Sequence, residues 1–231
     1  MIQILKFPRT PHLMGSRIQP GDEDFAVISV DALAGLQLVA EEKLDGSNCG
    51  ISFDATHGLV LQSRGHALTG GPRERQFDLF KRWANHHAVW LLGVLGRRYV
   101  MYGEWLFARH TIRYDRLPHY FIEFDILDRD SGEFLSTARR RVMLDGGPVI
   151  SAPVLATGSD LALESLLGQS TCSSVETMEG LYVKQEQGGR VAGRYKFVRP
   201  SFLQAVADSG EHWMNRPIEP NTLREGVDLF G

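Results

Sequence analysis

The apolar residues of this chain come in short runs cut by turn signals, and that pattern limits the folds open to it. LQLVAEE (36–42) reads as a strand, and KLDGSN (43–48) carries Asp45-Gly46, a strong turn dipeptide. In SNCGISF (47–53), Cys49, Ile51 and Phe53 alternate with small or polar residues, the period of a half-buried strand. After a turn-like stretch at Asp54–Gly58, LVLQSR (59–64) is a third strand. The three are expected to form an antiparallel meander with Lys43 at its first corner.

The rest of the chain continues in the same style. Residues 72–95 are predicted to be the longest helix, with Pro72 in the first turn and Phe77, Phe80, Trp83 and Ala84 at helical spacing. RYVMYGEWL (98–106) and YFIEFDILD (120–128) read as strands, the second turning through Ser131-Gly132 into a hairpin. Short helices are expected over 137–145 and 160–167, and a terminal helix over 200–208. EGLYVKQE (179–186) and VAGRYKFV (191–198) make a hairpin across Gln187-Gly188-Gly189. Hairpin-linked strands with unequal helices between them predict an α+β fold, not a doubly wound parallel sheet. With no repeat and no long linker, residues 1–231 are read as one domain.

Composition narrows the class of function only a little. A 43% hydrophobic and 23% charged chain is ordinary for a globular protein. No run approaches the ~20 apolar residues of a membrane helix, and MIQILKFPRTPHLMGS lacks the apolar core of a secretory signal. Two cysteines, Cys49 and Cys172, are too few for a disulfide scaffold and suit a reducing cytoplasm. A net charge of −3 makes no electrostatic case for nucleic acid. The basic clusters Arg73/Arg75, Lys81/Arg82, Arg97/Arg98 and Arg139-Arg140-Arg141 read as solvated faces.

Chemistry concentrates at EEKLDGSN (41–48). A lysine at a strand corner can project its amine into a cleft, while the following glycine admits a ligand close to the backbone. Further segments follow in order: SRG (63–65), YGEWL (102–106), FIEFDILD (121–128), EGLYVK (179–184) and RYKFV (194–198). Across residues 41–198 this series resembles the covalent nucleotidyltransferase superfamily of polynucleotide ligases and mRNA-capping enzymes. The resemblance implies a nucleotidyltransferase fold, antiparallel sheets flanked by helices, and a lysyl-AMP adduct on Lys43. It implies nucleotide contacts from Glu42, Asn48, Arg64, Glu104 (the ribose), Phe124 (stacked on adenine), Lys184 and Lys196. Glu179 would hold magnesium, and Asp125 is a secondary candidate beside the metal or a lysine. Attack on a phosphate needs a neutral amine, so a lowered Lys43 pKa is expected, with Lys184 and Lys196 as the neighbouring charges. Each residue also has a plainer reading: Phe124 as core packing, Glu104 as an exposed strand residue, Glu179 as a loop carboxylate.

Only 42 residues precede Lys43, which favours ATP over NAD, and 33 follow Val198, too few for an appended OB-fold barrel. A compact core of this kind, with the His- and Pro-bearing segment 108–128, is similar to the RNA-ligase branch. The implied function is ATP- and magnesium-dependent joining of RNA 5′-phosphate and 3′-hydroxyl ends. A DNA ligase, a capping-type enzyme and an inactive nucleotide- or RNA-binding module stay open, as does a partner protein that repairs ends first. One departure stands out: where the final basic motif is usually Lys-x-Lys, this chain reads Arg194-Tyr195-Lys196. The tail 199–231, with Trp213 and Phe230, is read as packing in preference to docking.

Overall fold

A computed structural model of the protein describes residues 4–18, 26–202 and 217–231. The strands are β1 (His12–Leu13), β2 (Val27–Ile28), β3 (Leu38–Lys43), β4 (Ser47–Phe53), β5 (Leu59–Ser63), β6 (Tyr99–Trp105), β7 (Phe121–Asp128), β8 (Glu133–Leu135), β9 (Ile150–Ser151), β10 (Val154–Gly158), β11 (Gly180–Gln187) and β12 (Arg190–Val198). Three α-helices are described: α1 (Asp78–His86), α2 (Ala88–Leu95) and α3 (Thr137–Leu144). The main path of the sheet runs β10-β3-β11-β12-β8-β7-β6-β4-β5, with β1 and β2 beside β12 and β9 beside β7. The short β8 pairs with both β12 and β7, so it stitches a half-sheet around β3 and β11 to one around β4 and β6. No helix among the described residues is long and apolar enough to cross a membrane.

The hairpins are where the turn signals put them. β4 pairs with β5, β7 with β8, and β11 with β12, all antiparallel. The expected meander is corrected at its first corner. β3 pairs with β10 and β11, whereas β4 pairs with β5 and β6, so the two strands flanking Lys43 lie in opposite half-sheets. Residues 44–46 are thus a crossing between halves, not a hairpin turn. Long-range contacts override the turn dipeptide here. Asp45 accepts hydrogen bonds from the Thr111 and Ile112 amides at 2.7 and 2.8 Å, and its own amide donates to Tyr114 Oη at 2.8 Å. Gly46 lies so close to β6 that a Cβ would stand 2.6 Å from the Trp105 carbonyl oxygen. No larger residue fits that crossing.

The helix expected over 72–95 is broken into three pieces: a 3₁₀ turn at Pro72–Phe77, then α1, then α2 after a bend at His87. The bend lets Leu91 and Leu95 join Phe80, Trp83 and Ala84 in one core cluster against Ile51, Met101 and Phe121. The helix expected over 137–145 is α3, capped by Ser136 Oγ on the Arg139 amide. That over 160–167 shrinks to a 3₁₀ turn at Leu163–Leu166. The terminal helix over 200–208 and Trp213 fall largely or wholly outside the described residues. Within the tail, Phe230 packs edge-on to His86, and the buried Asn221 brackets the loop after β6 by bonding Tyr114 N at 2.9 Å and Leu106 O at 2.8 Å.

One residue of the basic clusters departs from the solvated-face reading. Arg140, the middle residue of its run, is fully buried. Its Nη1 donates to Glu123 at 2.5 Å and its Nη2 to Glu41 at 2.6 Å. Lys184, also fully buried, reaches Glu41 at 2.8 Å and Asp125 at 3.3 Å. The reason is helical geometry: α3 presents every third or fourth residue inward, and Thr137, Arg140 and Leu144 are its buried positions. Removing one partner of such a cluster strands buried charge. Arg140→Met is therefore expected to cost about 3–5 kcal/mol in urea unfolding, while Arg141→Ala, one residue along and exposed, should stay within about 0.5 kcal/mol.

Candidate active site

The two half-sheets enclose a cleft of about 1000 Å³ between them. β3 brings Glu42 and Lys43 to its wall, β4 brings Ser47 and Asn48, β6 brings Glu104, and β7 brings Phe124. Glu179 lies just before β11, which adds Tyr182; Lys196 comes from β12 and Arg64 from the end of β5. Eight of the ten residues singled out in the sequence line this one space. Asp125 sits beneath it in the Arg140 cluster, and so does Lys184, its Nζ donating to the Phe124 carbonyl at 2.5 Å. It is a strut under the base of Phe124 and not part of the lining.

The lining holds two kinds of chemistry. Phe124 meets Tyr182 edge-on, their centroids 5.8 Å apart, in an aromatic group that also holds Phe7. Lys43 Nζ lies 2.8 Å from Glu179 Oε1, with Glu104 and Asp45 close by. Alternation along β11 could have found Tyr182, two residues before Lys184 on the same face. Sequence reasoning passed over it and over Asp45 and the lining residue His110. The small-hydroxyl run at 170–174 was also passed over. There Ser170 Oγ and Thr171 Oγ1 each donate to the Glu42 carboxylate at 2.5 Å, and the Thr171 amide donates at 2.9 Å.

The electrostatics depart from expectation at Lys43. Burial alone would push its amine down, but Glu179, then Glu104 and Asp45, outweigh burial and hold it above its usual value. The neighbours in contact are acidic, since Lys184 is turned into the cluster below. The Lys43 amine is thus held as an ammonium. Burial pushes Glu104 up to about 8, with Lys43 opposing and Glu179 and Asp45 adding to the rise. The Gly46 amide donates to its Oε1 at 3.2 Å, tying the crossing to β6. Across the strand pair from Glu104, Asn48 holds a buried Oδ1 that no donor among the described residues reaches. A ligand's hydroxyl or amine would fill that gap.

A family model described as RNA ligase matches residues 36–198. No curated protein sequence matches the chain. Among solved structures, Naegleria gruberi RNA ligase with pyrophosphate is 20% identical with a TM-score of 0.61, covering 90% of this chain and 64% of that one. A lysine-to-alanine variant of the same ligase with ATP and manganese is 18% identical with a TM-score of 0.59, covering 77% and 53%. A lysine-to-methionine variant with AMP and manganese gives 19%, 0.58, 77% and 54%. At these identities the likeness is one of fold, and the chain spans little more than half the length of most of these structures.

The Glu104 carboxyl carries a stability prediction. Its folded pKa lies above the unfolded value of 4.5, so the folded state holds the extra proton. The stabilisation it gives is present below about pH 4.5 and is lost as pH rises towards 8. Glu104→Gln, which keeps an oxygen for Gly46, should therefore be more stable than the native protein at pH 8–9, the gap closing towards pH 5. Urea unfolding at a series of pH values checks it, and a gap that widened on acidification would reverse the sign.

Proposed function

The chain belongs to the RNA ligase family, and on that footing we propose that it seals RNA ends with ATP and magnesium through a lysyl-AMP on Lys43. The observation that carries the reading is the placement of Lys43. Its amine stands among carboxylates in a cleft that Phe7, Phe124 and Tyr182 also line, which suits a nucleotide with its base on the aromatic rings and its phosphates at Lys43. The orphaned Asn48 Oδ1 and the raised Glu104, side by side, suit the hydroxyl-rich middle of such a ligand.

In the first step the Lys43 nitrogen bonds the α-phosphorus of ATP and pyrophosphate leaves. The amine must first lose its proton, and the ion pair with Glu179 at 2.8 Å is what holds that proton; a Glu179 drawn to a cation would release it. AMP then passes from Lys43 to an RNA 5′-phosphate, and a 3′-hydroxyl displaces AMP to leave a phosphodiester. Lys196, from the cleft wall, offsets charge building on the phosphate oxygens, and Arg64 at the mouth suits the incoming 5′-phosphate end. Among the described residues no group of three or more His, Cys, Asp or Glu forms a metal site. Magnesium is content with one carboxylate and phosphate oxygens, so Glu179 fits as its protein ligand. When bound, the cation supplies further charge neutralisation on the triphosphate.

The protein incubated with α-labelled ATP and magnesium should retain label on a denaturing gel, and Lys43→Ala should retain none. Equal labelling of that variant, or labelling by GTP or NAD in place of ATP, would remove the reading. The phosphate-side roles separate in a second assay. Lys196→Ala should slow labelling by ~10²–10³ and recover part of its sealing on pre-adenylated nicked RNA, which bypasses the first step. Lys184→Ala should instead show its loss in stability, because its charge is spent inside the buried cluster.

A further inference from the structure

Residues Leu5–Pro11 precede the region matched to the family, yet both ends of this segment are fastened to the site strands. The Leu5 amide donates to Gln62 Oε1 at 3.2 Å, while Gln62 Nε2 and Tyr102 Oη donate to the Leu5 carbonyl at 2.7 and 2.9 Å. At the far end the Lys196 amide donates to the Pro11 carbonyl at 3.0 Å. Between these ties Phe7 turns inward, its ring edge-on to Tyr102, Phe124 and Phe134 at 5.1, 5.2 and 5.8 Å. Phe7 lines the cleft beside Phe124 and Tyr182, and Lys6, Pro8 and Thr10 line it as well.

Arg194, two residues from Lys196, would be a phosphate ligand if it filled its usual motif role. Its guanidinium instead lies 4.1 Å from the Phe134 ring centroid and 5.2 Å from that of Phe7. Its Nη1 is buried with no hydrogen-bond partner among the described residues, and the residue is not in the cleft lining. A planar guanidinium stacks on aromatic faces in a way an ammonium does not, which accounts for arginine where the motif usually has lysine.

We infer that Leu5–Pro11 is a strap forming the aromatic wall of the nucleotide cleft, with Phe7 a contact for the base and Arg194 the positioning residue that seats Phe7. The inference rests on the reading that the cleft takes ATP. A phosphate-binding Arg194 and a stacking Arg194 predict opposite results for Arg194→Lys. The first makes that variant neutral or better, since it restores the usual pair of lysines; the second makes it worse.

The experiment is calorimetric titration of ATP, without divalent cation so that no turnover occurs, into the native protein, Phe7→Leu, Arg194→Lys and the double variant. Phe7→Leu keeps the apolar volume, and thermal unfolding checks that it folds; Arg194→Lys carries the test if it does not. Loss of one aromatic contact to a base should weaken binding about tenfold in Phe7→Leu. Arg194→Lys should weaken it several-fold, and the double variant should be no weaker than Phe7→Leu alone. In the labelling assay both single variants should raise KM for ATP with kcat held. Native-like binding by both would overturn the strap, as would an Arg194→Lys protein with native KM and lowered kcat. A native protein that bound no ATP would instead overturn the ATP reading itself.

Discussion

The buried ion cluster beneath the cleft is the interaction on which the rest of the structure leans. Three carboxylates, Glu41, Glu123 and Asp125, face two cations, Arg140 and Lys184, with both cations fully out of water. Charges so placed are tolerable only when each meets a partner at hydrogen-bonding distance, so the cluster admits few arrangements of the segments that carry it. Those segments are β3, β7, β11 and α3. Glu41 is two residues from Lys43, and Glu123 and Asp125 flank Phe124, so the same contacts that satisfy the ions fix the strands that carry both lining residues. Tyr182, whose hydroxyl donates to Asp125 at 2.5 Å, is drawn into the same net from the lining side.

A second chain of contacts fixes the crossing at 44–46, and it starts far away in sequence. Asn221 in the tail bonds Tyr114 N and Leu106 O, bracketing the loop after β6. That loop gives the Thr111 and Ile112 amides to the Asp45 carboxylate. Asp45 in turn holds the corner from which Lys43 projects. The four residues 43–46 thus divide the labour: Lys43 faces the cleft, Leu44 sits in the core, Asp45 is the anchor and Gly46 allows close approach. The described part of the tail packs against this loop and against His86 of α1.

What could be read from the sequence was local. Alternation located the strands, Gly-containing turns located the hairpins at 131–132 and 187–189, and the ordered motifs located the cleft residues. What could not be read was the choice of partner across long separations. β3 and β4 are adjacent in sequence and carry a turn dipeptide between them, but only contacts to residues some 60 positions away reveal that they part company. Arg140 looked like its neighbours in a basic run until α3 turned it inward. The acidic surroundings of Lys43 were hidden for the same reason: the motif order implied lysines beside it, while the fold turned one of them, Lys184, below the floor.

The crossing has a mechanical consequence. The two half-sheets are joined through β8, and the chain passes between them again at residues 44–46, immediately after Lys43. Lys43 therefore leaves the backbone at a point tied to both halves: β3 carries it, and the crossing beside it is held by Asp45 and Gly46. A motion that parted the walls by turning on that crossing would displace Lys43 less than residues farther along the strands.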